Sequence, residues 1–293
     1  MVKSKNKIKS SKGDKLFTIV TYSIILAITL ITFYPLLYVV MASFSNSNLL
    51  RGHSGLLWWP LGGTLEAYKS ILEYPKIWMG LKNTVLILGA GLCVSLFLTT
   101  LGAYLMSRKN FWFGKVFTFL VLFTMYFGGG LVPTFLNIKS LGLYDSLWSV
   151  VFIHGLSAYN MIIMRTNFQS IPDALSESAY LDGANDLTIL FKIILPLSSN
   201  VIAVMVLYYG VTYWNSWFYP AIFLQDATKV PLQLVLRDLL IQSQTLQLMD
   251  DKNTIDITIK YSTIVVATLP LICVYPFLQK YFVKGVMIGA VKG

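Results

Sequence analysis

The sequence predicts an all-α, polytopic membrane protein with six transmembrane helices. Three observations carry that expectation. Hydrophobic residues make up 56% of the chain and charged residues only 12%, against roughly a quarter charged in soluble proteins. Mean hydropathy is +0.66. Six apolar runs lie near 16–42, 83–106, 114–134, 146–164, 197–224 and 260–280, each close to the about 20 residues that cross a hydrocarbon core as a helix. They leave no room for a sizeable soluble domain. The expected division is a basic N-terminus over 1–15 and a single membrane domain over 16–293.

Taken in order, the first run follows "MVKSKNKIKSSKGDK", a basic stretch like the start of a secretory signal. The apolar run is far longer than the about 7–15 residues of a signal core, and "MAS" at 41–43 is only a faint cleavage-like site. An uncleaved first helix is therefore expected. The connection over 44–82 contains "LLWWPLGG", whose Trp58 and Trp59 suit a membrane interface. "FGGGLVP" at 127–133 reads as an end-of-helix turn, with a broken helix as the alternative. Between the fifth and sixth runs, Leu232, Leu236, Leu239, Leu240 and Leu246 recur at helical spacing. That amphipathic helix either lies on the lipid surface or docks an external protein. Cys93 and Cys273 both fall inside apolar runs, where free cysteines pack as small apolar residues rather than form a disulfide or metal site.

Six spans put both termini on one side, and the cations choose which. Lys3, Lys5, Lys7, Lys9, Lys12, Lys15, Arg108, Lys109, Lys115, Arg165, Lys192, Lys280, Lys284 and Lys292 share one side; Arg51, Lys69, Lys76, Lys82, Lys139, Lys229, Arg237, Lys252 and Lys260 share the other. The larger set lies in short segments beside the spans, where the positive-inside rule has its force. Both termini and the 165–196 connection are therefore expected to be cytoplasmic. The net charge of +10 is accounted for by that rule and by attraction to an anionic inner leaflet, so no nucleic-acid partner is expected.

No span contains an internal Asp, Glu, Lys or Arg. Ion-coupled transporters place ionisable groups or broken helices at mid-membrane, because something there must bind the driving ion. Only His154, in "SVVFIHGLSAYN", qualifies, and a packed, hydrogen-bonded histidine is the plainer reading. Phosphate-loop, nucleophile-elbow and His-Glu-x-x-His motifs are absent, and His53 and His154 are the two histidines. Such a chain, non-catalytic and with no cofactor or metal of its own, is either passive or driven by a partner. A driven pore needs a surface on which that partner can push.

The segment "SIPDALSESAYLDGANDLTILFKIILP" (170–196) reads as helix, turn, helix. Ser170 is the expected N-cap, Pro172 sits in the first turn, and Asp173 and Glu177 favour the start of the helix dipole. Asp182-Gly183 ends that helix. Asn185 or Asp186 caps the next, and Pro196 stops it. On these residues alone the segment is either an interfacial hairpin or a docking lever.

The same residues resemble the EAA loop of membrane subunits of ATP-binding-cassette importers. Glu177, Ala179, Asp182, Gly183, Ala184, Leu195 and Pro196 occupy the positions of that pattern, Ser178 stands where it has a second alanine, and Leu190-Phe191 stand where it has one phenylalanine. "IIMRTNFQSIPDALSESAYLDGA" is similar to the carbohydrate branch that holds the smaller maltose permease subunit. "GGGLVPTFLNIKSLGL" (128–143), "VPLQLVLRDLL" (230–240) and "YFVKGVMIGAVKG" (281–293) resemble its LplC-like, Gram-positive-rich subgroup.

The resemblance implies a type I importer permease fold and one half of a hetero-dimeric pore. The implied partners are a second permease subunit, two copies of a cytoplasmic ATPase that uses ATP and magnesium, and a lipid-anchored extracellular solute-binding protein delivering an oligosaccharide. It places Glu177, Ser178, Ala179, Asp182, Gly183, Ala184, Leu190, Phe191 and Pro196 at the ATPase, and the tail from Lys284 to Gly293 within reach of it. For the substrate path, Tyr209, Tyr213, Trp214 and Asn215 offer aromatic faces and hydrogen bonds, with His154 and Asn160 beside them; the alternative is an interfacial aromatic belt. Other readings are a permease for peptides or lipid-linked cargo, or a non-transport scaffold or receptor subunit.

Overall fold

A computed structural model describes residues 12–109, 111–248 and 257–290, and the described residues form helices without strands. The basic stretch 1–11 and the last three residues of the tail lie outside them, and the Leu246 side chain is likewise not described. In chain order the helices are α1 (Lys12–Ser43), α2 (Ser47–Arg51), α3 (Glu66–Glu73), α4 (Pro75–Ser107), α5 (Gly114–Tyr126), α6 (Leu131–Ser140) and α7 (Leu147–Ile153). They continue as α8 (Ala158–Gln169), α9 (Asp173–Leu181), α10 (Asp186–Leu197), α11 (Ser199–Trp214), α12 (Phe218–Phe223), α13 (Leu232–Leu248) and α14 (Ile257–Ala290).

Three helices are long and apolar enough to cross a bilayer alone: α1, α4 and the Ile257–Pro276 part of α14. Three more spans arise if each bent pair counts as one: α5 with α6 at 118°, α7 with α8 at 52°, and α10 with α11 at 84°. The six-run expectation therefore holds with three spans broken. The reasons are local. Between α5 and α6 the chain turns at Gly128–Gly130, and Gly130 has φ 84°. The fifth run, expected continuous to 224, stops at Trp214 and resumes at Phe218. Pro220 has no amide hydrogen, and its ring would collide with the carbonyl of Ser216 if the helix ran through.

The chain forms two compact units. The first comprises Met1–Ile71 with Ser243–Val265. Its core is Ala42, Leu50 and Leu57, packed with Tyr38, Met41, Leu61, Ile257 and Tyr261. Ser262 donates to the Ser43 carbonyl at 3.1 Å, and the Leu57 amide donates to the Tyr34 hydroxyl at 2.9 Å. Trp58 leans on Tyr34, while Trp59 is exposed.

The second unit, Leu72–Gln242 with Val266–Gly293, is organised on α4, which packs against α7, α8 and α11. Its packed face carries Gly80, Thr84, Gly91, Ser95, Thr99 and Ala103, all buried. Small residues four apart let membrane helices approach closely, because lipid supplies no hydrophobic drive between helices. The polar ones are paired across helices: Ser95 with the Tyr213 hydroxyl at 2.9 Å and Thr99 with the Tyr209 hydroxyl at 2.6 Å. Each such pair contributes about 1 kcal/mol.

At the Pro75 end of α4, the Asn83 amide donates to the Thr228 and Val230 carbonyls at 2.8 and 3.1 Å, and Thr84 accepts from the Leu232 amide at 2.9 Å. Leu232, Leu234, Val235 and Leu236 are buried. The start of α13 thus touches α4 through Leu232 and Val235, which is compatible with both readings of its leucine pattern.

Beside it, Asp145, at φ 55°, accepts from the Gln225 and Asp226 amides at 2.9 and 3.0 Å and from the Lys229 ammonium at 2.9 Å. Those bonds, the Asp226 amide foremost, hold its carboxyl at about 2. Its folded value lies below the ordinary 3.8, so its contribution is complete above that pH and is lost as pH falls through about 2. Protection of the Gln225 and Asp226 amides, taken as exchange relative to the intrinsic rate at each pH, should therefore stay flat from about pH 8 to pH 5. Asp145→Asn, which imitates the acid form, should lower that protection at neutral pH.

Candidate functional site

The 173–197 hairpin is built largely as its residues dictate, with three differences. Ser170 closes α8 rather than opening α9: its amide and hydroxyl both donate to the Asn167 carbonyl. Pro172, at φ −58° and ψ 128°, takes the N-cap position of α9 instead of the first turn. Pro196 also does not end α10 at once. It cannot donate to the Lys192 carbonyl, and the turn before it widens into a π-helix over Leu190–Ile194, with the Leu195 amide reaching the Leu190 carbonyl. The helix ends one residue after Pro196, at Leu197.

The turn itself is as expected. Gly183 adopts φ 81°, its amide donates to the Tyr180 carbonyl at 3.0 Å, and the Ala184 amide donates to the Ala179 carbonyl at 2.9 Å. Asn185, rather than Asp186, is the cap, accepting from the Thr188 amide at 2.8 Å.

The hairpin has an inner and an outer face. Ser176, Ala179, Ile189, Leu190 and Ile194 are buried, while Glu177, Ser178, Asp182, Gly183 and Pro196 are exposed and Ala184 is half-buried. Leu190 is 0% exposed and Phe191 is 53% exposed. Leu181, Leu187 and Phe191 thus present apolar side chains outward, and Leu181 is 90% exposed.

Sequence reasoning missed what fastens the inner face to α4. The Tyr104 and Tyr180 hydroxyls both donate to Asp186 Oδ1, at 3.1 and 2.5 Å. Arg108 lies 4.3 Å over the Tyr104 ring and donates to Ser176 Oγ at 2.9 Å. The bond to Asp186 raises the Tyr180 hydroxyl above its ordinary 10.0. Between α4 and the hairpin lies a cleft of about 470 Å³ lined by Arg108, Lys109, Phe111, Glu177 and Leu187 among others. Tyr104 and Arg108 stand one turn apart, which is legible; Asp186, 82 residues away from Tyr104, is placed only by the fold.

The second cluster sits where α8 and α11 begin and end. Tyr209 and Tyr213 are 1% and 2% exposed. The Tyr209 hydroxyl also accepts from the Ser157 amide at 3.0 Å, and the Tyr213 hydroxyl donates to the Val151 carbonyl at 2.9 Å. Trp214 is buried and donates to the Ala267 carbonyl at 3.0 Å; Asn160 is buried too. His154 meets Ser216 Oγ at 3.1 Å and lies edge-on to Tyr213 and Tyr219. Asn215 is exposed in the break after α11, next to exposed Trp217 and Phe218. Among the described residues no group of three or more His, Cys, Asp or Glu could hold a metal.

Residues 98–288 match the family described as "Binding-protein-dependent transport system inner membrane component". The chain belongs to that family. It is 41% identical over 287 residues to the polygalacturonan/rhamnogalacturonan transport system permease protein YtcP of Bacillus subtilis, covering 96% of this chain and 99% of that one. It is 36% identical over 288 residues to protein LplC of the same organism, covering 97% of each.

A solved structure of a bacterial ABC transporter involved in import of the acidic polysaccharide alginate contains a chain 31% identical, with TM-score 0.84, covering 93% of this chain and 99% of that one. A chain of the alginate transporter in complex with a pentasaccharide-bound periplasmic protein, at 15% identity and TM-score 0.58, shares the fold alone. The importer permease fold and the LplC-like branch are thus both met. The family is that of multi-pass inner membrane components of transport systems.

Proposed function

We propose that this chain is one pore-forming half of an ATP-driven oligosaccharide importer, with the 173–197 hairpin as the surface on which the ATPase acts. The observation that carries the proposal is the exposed set on that hairpin: Leu181 and Phe191, with Glu177 and Leu187 at the cleft beside α4, on a support fastened to α4. Exposed leucines and phenylalanine beside a carboxylate suit a partner's apolar cleft rimmed by polar or basic groups. The cation count puts this face and both termini in the cytoplasm. The remaining partners are a second permease subunit, two ATPase copies that bind ATP and magnesium, and an extracellular solute-binding protein. This chain performs no chemistry: when ATP binding draws the ATPases together, the hairpins move with them, and the helices fixed to each hairpin turn the pore outward.

Of Leu190 and Phe191, the exposed phenylalanine is the one offered to the ATPase. Phe191→Asp should leave the chain in the membrane and cut copurified ATPase more than about ten-fold, since anchor residues dominate such interfaces. Leu190→Asp, which buries an unpaired carboxylate, should remove the chain itself. Equal ATPase recovery from wild type and Phe191→Asp would refute the assignment.

The names of the relatives, polygalacturonan, rhamnogalacturonan and alginate, support a carbohydrate cargo rich in acidic sugars. On the path, Asn215 with Trp217 and Tyr219 is the proposed contact, because the Tyr209 and Tyr213 hydroxyls are already spent between helices. Tyr213→Ala should lower the amount of chain in the membrane. Asn215→Ala should keep the amount and change uptake or its preference among oligosaccharides. The reverse pattern would return the path to the two tyrosines.

A further inference from the structure

The hairpin is joined to the rest of its unit covalently through α8 and α11, and its side chains also hydrogen-bond to a third element, the end of α4. Asp186 takes both tyrosine hydroxyls, one from α4 and one from α9. The Tyr104 hydroxyl lies 3.2 Å from the Asp186 carbonyl as well. The Arg108 guanidinium covers the Tyr104 ring and reaches Ser176 on α9. Arg165, at the end of α8, donates from Nε to the Met106 carbonyl at 3.1 Å, closing the same end of α4. The exposed Lys109–Asp173 pair nearby adds little, since solvent-exposed ion pairs contribute little.

The opposite end of α4 is fastened in the same manner. Asn83 and Thr84 hold the chain from Thr228 to Leu232, where α13 begins. A Cβ on Gly80 would stand only 3.0 Å from Leu232 Cα, so the two backbones are in direct contact there. Thr84 and Tyr104, one at each clamp, stand about 20 residues apart on this 33-residue helix, about 30 Å at 1.5 Å per residue, with no proline inside beyond the first position. Ser95 and Thr99 tie the middle to α11.

Resting on the function proposed above, we propose that α4 is a rigid strut whose two end clamps link the ATPase-facing hairpin to α13 at the far end. Tyr104, Tyr180 and Arg108 are positioning residues at one clamp, and Thr84 is one at the other. Engagement of the external binding protein near α13 and engagement of the ATPase at the hairpin then bias one body. Loosening either clamp should uncouple ATP hydrolysis from transport without removing either partner.

The test uses the intact importer, copurified with its ATPase and second permease and reconstituted in liposomes with its binding protein and galacturonate oligosaccharides. Tyr104→Phe and Tyr180→Phe each delete one hydroxyl; Thr84→Val deletes the other clamp's acceptor with little change of shape. Each variant should keep basal ATPase within about twofold and lower sugar transported per ATP by about five-fold or more, the scale of a lost hydrogen bond to a charged or buried partner. Tyr104→Phe combined with Thr84→Val should be no worse than the stronger single variant, because two breaks in one linkage are not additive. Unchanged transport per ATP, additive losses, or basal ATPase falling in parallel with complex yield would each overturn the strut. A wild-type complex without binding-protein-stimulated ATPase would instead overturn the function proposed for the chain.

Discussion

Gly183→Val is expected to lower substrate-stimulated ATPase of the assembled importer more than about ten-fold while leaving the chain inserted. Gly183 holds φ 81°, and a Cβ built on it meets nothing within 4 Å. The obstacle is therefore backbone strain and not space. A left-handed conformation costs an L-residue about 1–2 kcal/mol, and a β-branched side chain is the worst placed to accept it. The strain would be relieved by opening the turn, which breaks the bonds from the Gly183 and Ala184 amides to the Tyr180 and Ala179 carbonyls. α9 and α10 would then lose their fixed angle, and Glu177 and Phe191 would no longer face one partner together. Gly183→Asn, whose side chain tolerates the conformation, should keep most of the activity. Stimulated ATPase activity at equal complex yield measures this; a Gly183→Val complex as active as wild type would contradict it.

Gly91→Ala is expected to be the most damaging small substitution in the α4 interface, and Gly102→Ala a mild one. A Cβ at Gly91 would overlap the Tyr213 ring, and one at Gly102 would meet Met161 Cε and Sδ at 2.6 and 2.7 Å. The overlaps look alike, but the neighbours do not. The Tyr213 ring is held by its hydroxyl on Ser95 and on the Val151 carbonyl, so it cannot retreat without surrendering buried hydrogen bonds. Met161 is an unbranched thioether that repacks readily. Overpacking against a fixed group costs about 1–3 kcal/mol, whereas the methionine should yield for under about 1 kcal/mol. Thermal stability of the purified complex should rank wild type, Gly102→Ala, then Gly91→Ala. Tyr213→Phe should cost less in the Gly91→Ala background than alone, because both changes strain or remove the same hydrogen bonds.

Span positions, the helix–turn–helix over 173–197 and the left-handed glycine were legible because each depends on residues close in sequence. Apolar length, the Asp182-Gly183 turn and the Asn185 cap are local signals. What was not legible depends on distant partners. The fifth run is the exception: its break before Pro220 has a local signal, but not a decisive one, since α1 runs through Pro35 and α14 through Pro270 and Pro276. Tyr209 and Tyr213 look like sugar contacts by composition; burial against Thr99, Ser95 and Val151 makes them interhelical pins. The spacing of Gly91, Ser95, Thr99 and Ala103 was present in the sequence as a packing signal. Asp186, by contrast, is an unremarkable helix-start carboxylate until Tyr104 and Tyr180 are placed on it.

Uptake into vesicles tests the central claim most directly. The full complex is reconstituted with ATP inside, its binding protein outside, and labelled galacturonate oligosaccharides as cargo. The account predicts accumulation that needs ATP and binding protein together and is lost in Glu177→Lys at equal complex yield. Accumulation without ATP, or undiminished in Glu177→Lys, would contradict it.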